Sequence, residues 1–123
     1  MTIDTNILIA FLNQESVVTD QMSAWREAGV TLFVPTMVEA ELLSFSGQTK
    51  AELEQIIRFL GENFISIPFD RTLARISGEI RRDSRLKFPD AAIAATALFT
   101  RTPLVTRNTK DFKRLKDLPL IQL

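Results

Sequence analysis

Asp4, Glu41, Asp90 and Asp111 are the side chains whose type and placement could do chemistry, and that chemistry would be carboxylates gathered around a hard cation. Asp4 stands in Ile3-Asp4-Thr5-Asn6, between an apolar stretch and a helical pattern, where capping the helix is its plainer job. Glu41 is three residues from Val38 and four from Met37 and Phe45. Helical residues three and four apart share a face, so Glu41 lies on the apolar face of its own helix and Glu39 on the opposite, wet one. A carboxylate on a core-facing stripe is costly unless something pairs with it, either an Arg or a metal ion. Asp90 heads a helical pattern that puts Ile93, Ala94, Ala97 and Leu98 on its face. A first-turn Asp is also what the helix dipole favours. Asp111 lies in Thr106-Arg-Asn-Thr-Lys-Asp111-Phe112 after a short apolar run, a place that equally suits a turn or cap.

Each acid alone has an ordinary structural explanation. Together they can converge only around a cation, because like charges otherwise repel and raise one another's pKa. The chain has no Cys and no His. That excludes disulfides, thiol nucleophiles, His-based triads and the usual zinc sites. An all-oxygen site selects Mg²⁺ or Mn²⁺. Carboxylates holding such an ion make a phosphoryl-transfer site. Two rival phosphoryl sites are missing. There is no GxxxxGK[ST] loop, and the Asp-x-Asp that haloacid-dehalogenase phosphatases carry after the first strand is broken by Asn6.

The elements that must position these acids alternate between strand-like and helix-like patterns. Strands are expected at Met1–Ile3, Val30–Val34, Phe64–Ile67, Leu104–Thr106 and Leu120–Gln122. Helices are expected at Thr5–Leu12, Val17–Ala28, Thr36–Phe45, Thr49 to near Gly61, Asp70–Arg85 and Pro89–Thr100. Thr36 with Glu39, and Thr49 with Glu52, have the spacing of capping boxes. Such alternation implies an α/β fold, with a parallel sheet covered on both faces and ligands beyond the carboxyl ends of its strands. Asp4 and Asn108 fall at that edge.

Length and composition fit one domain over residues 1–123, with 46% hydrophobic residues to supply a core. No apolar run approaches a membrane span. Met1–Asp4 lacks the basic start and apolar stretch of a signal peptide, so a cytoplasmic protein is expected. The net charge of zero hides an asymmetry: residues 1–70 carry 3 basic and 10 acidic side chains, residues 71–123 carry 12 and 5. A polyanion would suit the basic half, with Arg81, Arg82 and Arg85 as candidate contacts; solvated helix faces would account for the same charges.

Four stretches, in order, carry a resemblance: Asp4-Thr-Asn-Ile-Leu-Ile9, Val38-Glu-Ala-Glu-Leu-Leu43, Pro89-Asp-Ala-Ala-Ile-Ala-Ala-Thr-Ala97 and Leu104-Val-Thr-Arg-Asn-Thr-Lys-Asp-Phe112. Each is weak alone; in this order they span nearly the whole chain. The sequence resembles PIN domains, specifically the VapC-like ribonuclease toxins of type II toxin–antitoxin pairs. The resemblance implies a three-layer α/β/α sandwich with a central parallel sheet. It implies Asp4, Glu41 and Asp90 as the acids that bind Mg²⁺ or Mn²⁺, and Asp111 as a less constant fourth. It implies Asn6, Thr106 and Asn108 as supporting polar residues. RNA as substrate, a homodimer and a cognate antitoxin that inserts a segment near the site are further implications. The chain departs from the pattern in its very short first strand and in having Asn108 where some relatives have Asp.

The reading from a different class is a catalytically silent PIN-like module that binds RNA or protein, with structural acids. A divalent-ion titration separates the two. A thermal shift with Mn²⁺ that Asp90→Asn abolishes favours the enzyme.

Overall fold

Five short apolar segments find one another across the chain and pair, all parallel, while the stretches between them coil into helices. The computed structural model describes residues 1–123. In chain order its elements are β1 (Thr2–Ile3), α1 (Thr5–Leu12), α2 (Ser16–Glu27), β2 (Phe33–Pro35), α3 (Thr36–Leu43), α4 (Lys50–Asn63), β3 (Ile65–Ile67), α5 (Arg71–Ser84), α6 (Phe88–Thr100), β4 (Leu104–Val105), α7 (Thr109–Phe112) and β5 (Leu120–Ile121). The sheet order is β3-β2-β1-β4-β5, with Thr2 in register with Phe33 on one side and Leu104 on the other. Helices cover the sheet to give the expected α/β/α layers.

The order reverses direction between β1 and β4, the point where open parallel sheets leave a crevice at their carboxyl ends. Asp4 follows β1 and Thr106 follows β4, so the two flank that crevice. The inner strands are enclosed, with Ile3, Val34, Leu104 and Val105 fully buried, whereas Ile65 and Ser66 of the edge strand β3 are exposed. α6 is enclosed too, with every residue from Ala91 to Ala97 buried. Its alanines let α5 and the sheet approach closely, which holds Asp90 at the helix's first turn beside the crevice.

Most elements fall where the periodicity puts them. The capping box predicted at Thr49 and Glu52 is present in both its hydrogen bonds, and Asp70 caps α5 by accepting from Leu73 N–H. The one predicted at Thr36 and Glu39 is absent. Pro35, the last residue of β2, is the N-cap of α3 and offers no side-chain acceptor. Thr36 Oγ1 instead accepts from Phe69 N–H, and Glu39 Oε1 accepts from the Ser66 hydroxyl, so both side chains serve neighbouring segments. β2 starts at Phe33 rather than Val30, because Val30 N–H is already committed to Trp25 carbonyl in the turn that closes α2. α3 stops at Leu43, short of Phe45, and α4 runs past Gly61 to Asn63. The short helix α7, between β4 and β5, has no expected counterpart.

Candidate active site

Asp4 is both a helix cap and the buried centre of the crevice. Its Oδ1 accepts from Thr5 N–H at 2.7 Å, closing the start of α1. Its Oδ2 accepts from Asn6 Nδ2 at 3.0 Å and from the Thr106 hydroxyl. The capping role and the site role therefore do not compete: one oxygen does each. Thr106 Oγ1 accepts in turn from Asn108 N–H at 3.0 Å, and Asn6 Oδ1 accepts from Arg107 N–H at 3.1 Å. The loop after β4 is thus stitched to the first turn of α1 through Asp4.

Glu41 reaches the same place from α3. Its Oε2 accepts from the Thr5 hydroxyl, and the side chain is half-buried. Glu39 sits two residues away and points elsewhere, to Ser66 at the far side of β2. Asp90 arrives from the first turn of α6. Asp4, Glu41 and Asp90, with Asn6, Asn108, Thr5, Ser44, Ile9, Phe45 and Ile93, line one open cleft of about 370 Å³. Asp111 does not line its wall. Its charge is nevertheless felt at Asp90, and its Oδ1 lies 3.6 Å from Arg114 Nη2.

The electrostatics record the crowding. Burial, above all, pushes the Asp4 carboxyl above the usual aspartate value; the Thr106 and Thr5 hydrogen bonds oppose this, and the Glu41 charge adds to it. Asp90 is raised as well, first by burial and then by the charges of Asp4, Asp111 and Glu41, with Lys87 opposing. Acids that disfavour one another's charged forms across one gap suit a cation. The donor set fits a hard divalent ion, since every group at the cleft that can ligate is an oxygen or an amide. As they stand, no three acids close up into a ready cage. The side chains surround the gap without meeting in it.

Arg81, Arg82 and Arg85 do not line the cleft. They lie at the end of α5, where Arg81 Nε donates to the Leu86 carbonyl and Arg85 is the left-handed C-cap. The cation nearest in effect to the acids is Lys87, which is not among the basic residues that the sequence singles out. A signal for it exists: it stands three residues before Asp90, at the cap of the same helix. Thr5 is a second side chain at the site that the motifs leave unmarked: it lines the cleft and its hydroxyl donates to Glu41. A larger hollow of about 580 Å³ adjoins the cleft through Ile9 and Phe45, between α1, α3 and α4. It is mainly apolar and holds none of the four candidate acids.

The model of the PIN domain family matches residues 1–118. The chain belongs to the PIN domain family. Among PIN-domain relatives, it is 31% identical to Ribonuclease VapC1 of Rickettsia felis, over 98% of this chain and 94% of that one. It is 28% identical, over the same shares, to Ribonuclease VapC of Rickettsia bellii. These relatives bear out the VapC-like resemblance. Its structure is similar to a chain in a toxin–antitoxin complex from Klebsiella pneumoniae, with 31% identity and a TM-score of 0.79, covering 98% of this chain and 94% of that one. It also shares its PIN fold with a chain of VapBC2 from Rickettsia felis bound to a promoter DNA fragment, at a TM-score of 0.84 and 23% identity, covering 99% and 97%.

Proposed function

We propose that the chain is a divalent-metal-dependent endoribonuclease, the toxin of a toxin–antitoxin pair. The observation that carries this is that Asp4, Glu41 and Asp90, from three separate elements, all line one cleft at the sheet's switch point. Those three carboxylates hold Mg²⁺ or Mn²⁺, and Asp111 completes the site or orients the attacking water from its margin. When bound, the ion supplies Lewis-acid stabilisation of charge on the phosphodiester being hydrolysed. The protein's part is to hold the donors still: Thr106, Asn6 and Thr5 N–H fix Asp4, and the Thr5 hydroxyl fixes Glu41. Exposed cations of the segment that runs into Asp90, namely Arg82, Arg85 and Lys87, take the phosphates of the RNA strand, which positions it without reading sequence.

The apolar hollow next to the cleft suits a peptide segment of the antitoxin, which would reach the acids past Ile9 and Phe45. Gln48 Oε1 is buried there with no hydrogen-bond partner, an acceptor for a peptide N–H. The same reading makes the assembly a homodimer and the compartment the cytoplasm; no helix is long and apolar enough to cross a membrane.

The test is incubation of the purified protein with total RNA and Mn²⁺, with new RNA ends mapped. Cleavage that EDTA and Asp90→Asn both abolish is expected. Full cleavage in excess chelator would remove the metal from the mechanism. No cleavage, together with wild-type RNA binding, would make the chain a silent binding module.

A further inference from the structure

The chain has 30 charged side chains, yet only one ion pair joins separate segments. It joins Arg107 to Glu15, fork to fork, with Nη1 to Oε1 at 3.3 Å and Nη2 to Oε2 at 2.5 Å. Glu15 lies in the turn between α1 and α2, where its N–H donates to the Ala10 carbonyl. Arg107 immediately follows Thr106. Its backbone N–H donates to Asn6 Oδ1, and its Nε donates to the Leu123 carbonyl at 3.2 Å. Asn6 passes the connection on, donating Nδ2 to Asp4 Oδ2. Neither Glu15 nor Arg107 lines the cleft.

We propose that Arg107 and Glu15 are a positioning pair for the acid site. The pair clamps the loop after β4 along α1, so that Asn6 and Thr106 meet Asp4 at the right place. An exposed ion pair adds little to stability. A two-pronged guanidinium–carboxylate contact does fix orientation, and orientation is what the Asp4 donors need. Removing the clamp frees the loop to shift, which moves the Thr106 donor and takes the Arg107 N–H away from Asn6 Oδ1, the contact that orients the second donor.

The activity arm of the test rests on the ribonuclease reading and the Mn²⁺ arm on its metal site; the Asn6 exchange arm rests on neither. Four proteins are compared with the wild type: Glu15→Gln, Arg107→Gln, Arg107→Lys, and the swap carrying Glu15→Arg with Arg107→Glu. The readings are Mn²⁺ affinity by calorimetry, exchange of the Asn6 side-chain amide protons by NMR, and kcat and KM for RNA. Glu15→Gln and Arg107→Gln are expected to act alike. Each should weaken Mn²⁺ binding about 10-fold, the lower end for loss of an outer partner of a metal ligand. Each should speed Asn6 amide exchange and lower kcat with KM unchanged. Melting temperature should move by no more than about 3 °C. The swap should recover part of both losses, and Arg107→Lys should fall between, since a point charge lacks the fork. Unchanged Mn²⁺ affinity and Asn6 exchange in both Gln variants would reduce the contact to a surface ion pair and overturn the proposal. So would a raised KM in Arg107→Gln with no effect of Glu15→Gln, which would make Arg107 a direct phosphate contact. A wild type that cleaves no RNA would overturn the ribonuclease reading alone, leaving the binding and exchange arms to decide the clamp.

Discussion

Thr106 donates its hydroxyl to Asp4 Oδ2 across 102 residues of chain, joining the ends of β1 and β4 at the point where the sheet order reverses. Both residues are buried, so this bond is shielded from water. It opposes the burial that raises Asp4. Thr106→Val keeps the shape and removes the donor. It should cost about 1.5–3 kcal/mol of stability, the range for hydrogen bonds to charged groups. It should also weaken Mn²⁺ binding by about 10- to 100-fold. Calorimetric Mn²⁺ titration with denaturant unfolding checks both. Wild-type affinity in a folded Thr106→Val protein would remove Thr106 from the support of the site.

Glu39 and Glu41 are two residues apart on α3 and make different bonds, one to Ser66 and the other to Thr5. Glu41→Gln should therefore abolish most RNA cleavage while leaving metal-free stability equal or higher, because one of several repelling acids is neutralised. Glu39→Gln should leave cleavage near wild type and cost a few tenths to ~1 kcal/mol, as expected for one exposed hydrogen bond. Ser66→Ala should cost the same, and the double variant should cost no more than either. Additive losses would mean that the Glu39–Ser66 bond carries none of the effect. A Glu41→Gln protein that cleaves RNA normally would overturn the site.

The helical-face argument sends these two glutamates to different neighbours, because a rotation of ~100° per residue is a local property, but the face expected to be wet is not: Glu39 is half-buried like Glu41. Much else that is local is also legible: the caps at Asp70 and Thr49, the strand–helix alternation, and the position of Asp4 at a strand end. What is not legible depends on partners far away in the chain. Glu39 and Thr36 have capping-box spacing, but Ser66 and Phe69 N–H take them, and only the folded β2–β3 neighbourhood brings those groups near. Thr5 escapes a sequence reading for the same reason, since its hydroxyl meets Glu41 on another element. Lys87 stands only three residues before Asp90, a local signal that the wider basic excess obscures. The motif groups Asp111 with the other acids, yet α7 keeps it at the margin.

Asp90 gives a pH dependence whose sign can be worked out. Its folded pKa is raised by burial and by Asp4, Asp111 and Glu41. Between the ordinary aspartate value of ~3.9 and that raised value, the folded chain holds more protons than the unfolded one. Stability in metal-free buffer therefore falls as pH rises through this window and stays lowered at neutral pH. Asp90→Asn should raise metal-free stability at pH 7 by at most about 1 kcal/mol, because the group is only half-buried and solvent screens it. The gain should shrink as pH falls toward the unfolded value. With Mn²⁺ present the order should reverse, since only the wild type gains from binding. Melting curves from pH 4 to 8, with and without Mn²⁺, decide it. A variant less stable than wild type at every pH without metal would show that Asp90 is held by structural partners.

The basic segment before Asp90 sets the last expectation. Arg82, Arg85 and Lys87 are exposed; Arg81 is exposed too, but spends its Nε on the Leu86 carbonyl. If the first three take phosphates of a single-stranded RNA, each releases counterions, and the slope of log affinity against log salt changes by about 0.7 for each phosphate left without its cation. Neutralising Arg82, Arg85 and Lys87 to Gln should then flatten the slope by roughly 2 and weaken binding of all RNA sequences alike, because phosphate contacts carry no base information. Arg81→Gln should behave differently: it should alter the slope little and loosen the 85–87 turn, seen as a lower melting temperature. Filter binding of a short RNA at four salt concentrations, using Asp90→Asn as the background to prevent cleavage, measures this. An unchanged slope in the triple variant would return these cations to solvated surface. The RNA path would then have to be sought among the basic residues after β4, where Lys110, Lys113 and Lys116 stand exposed.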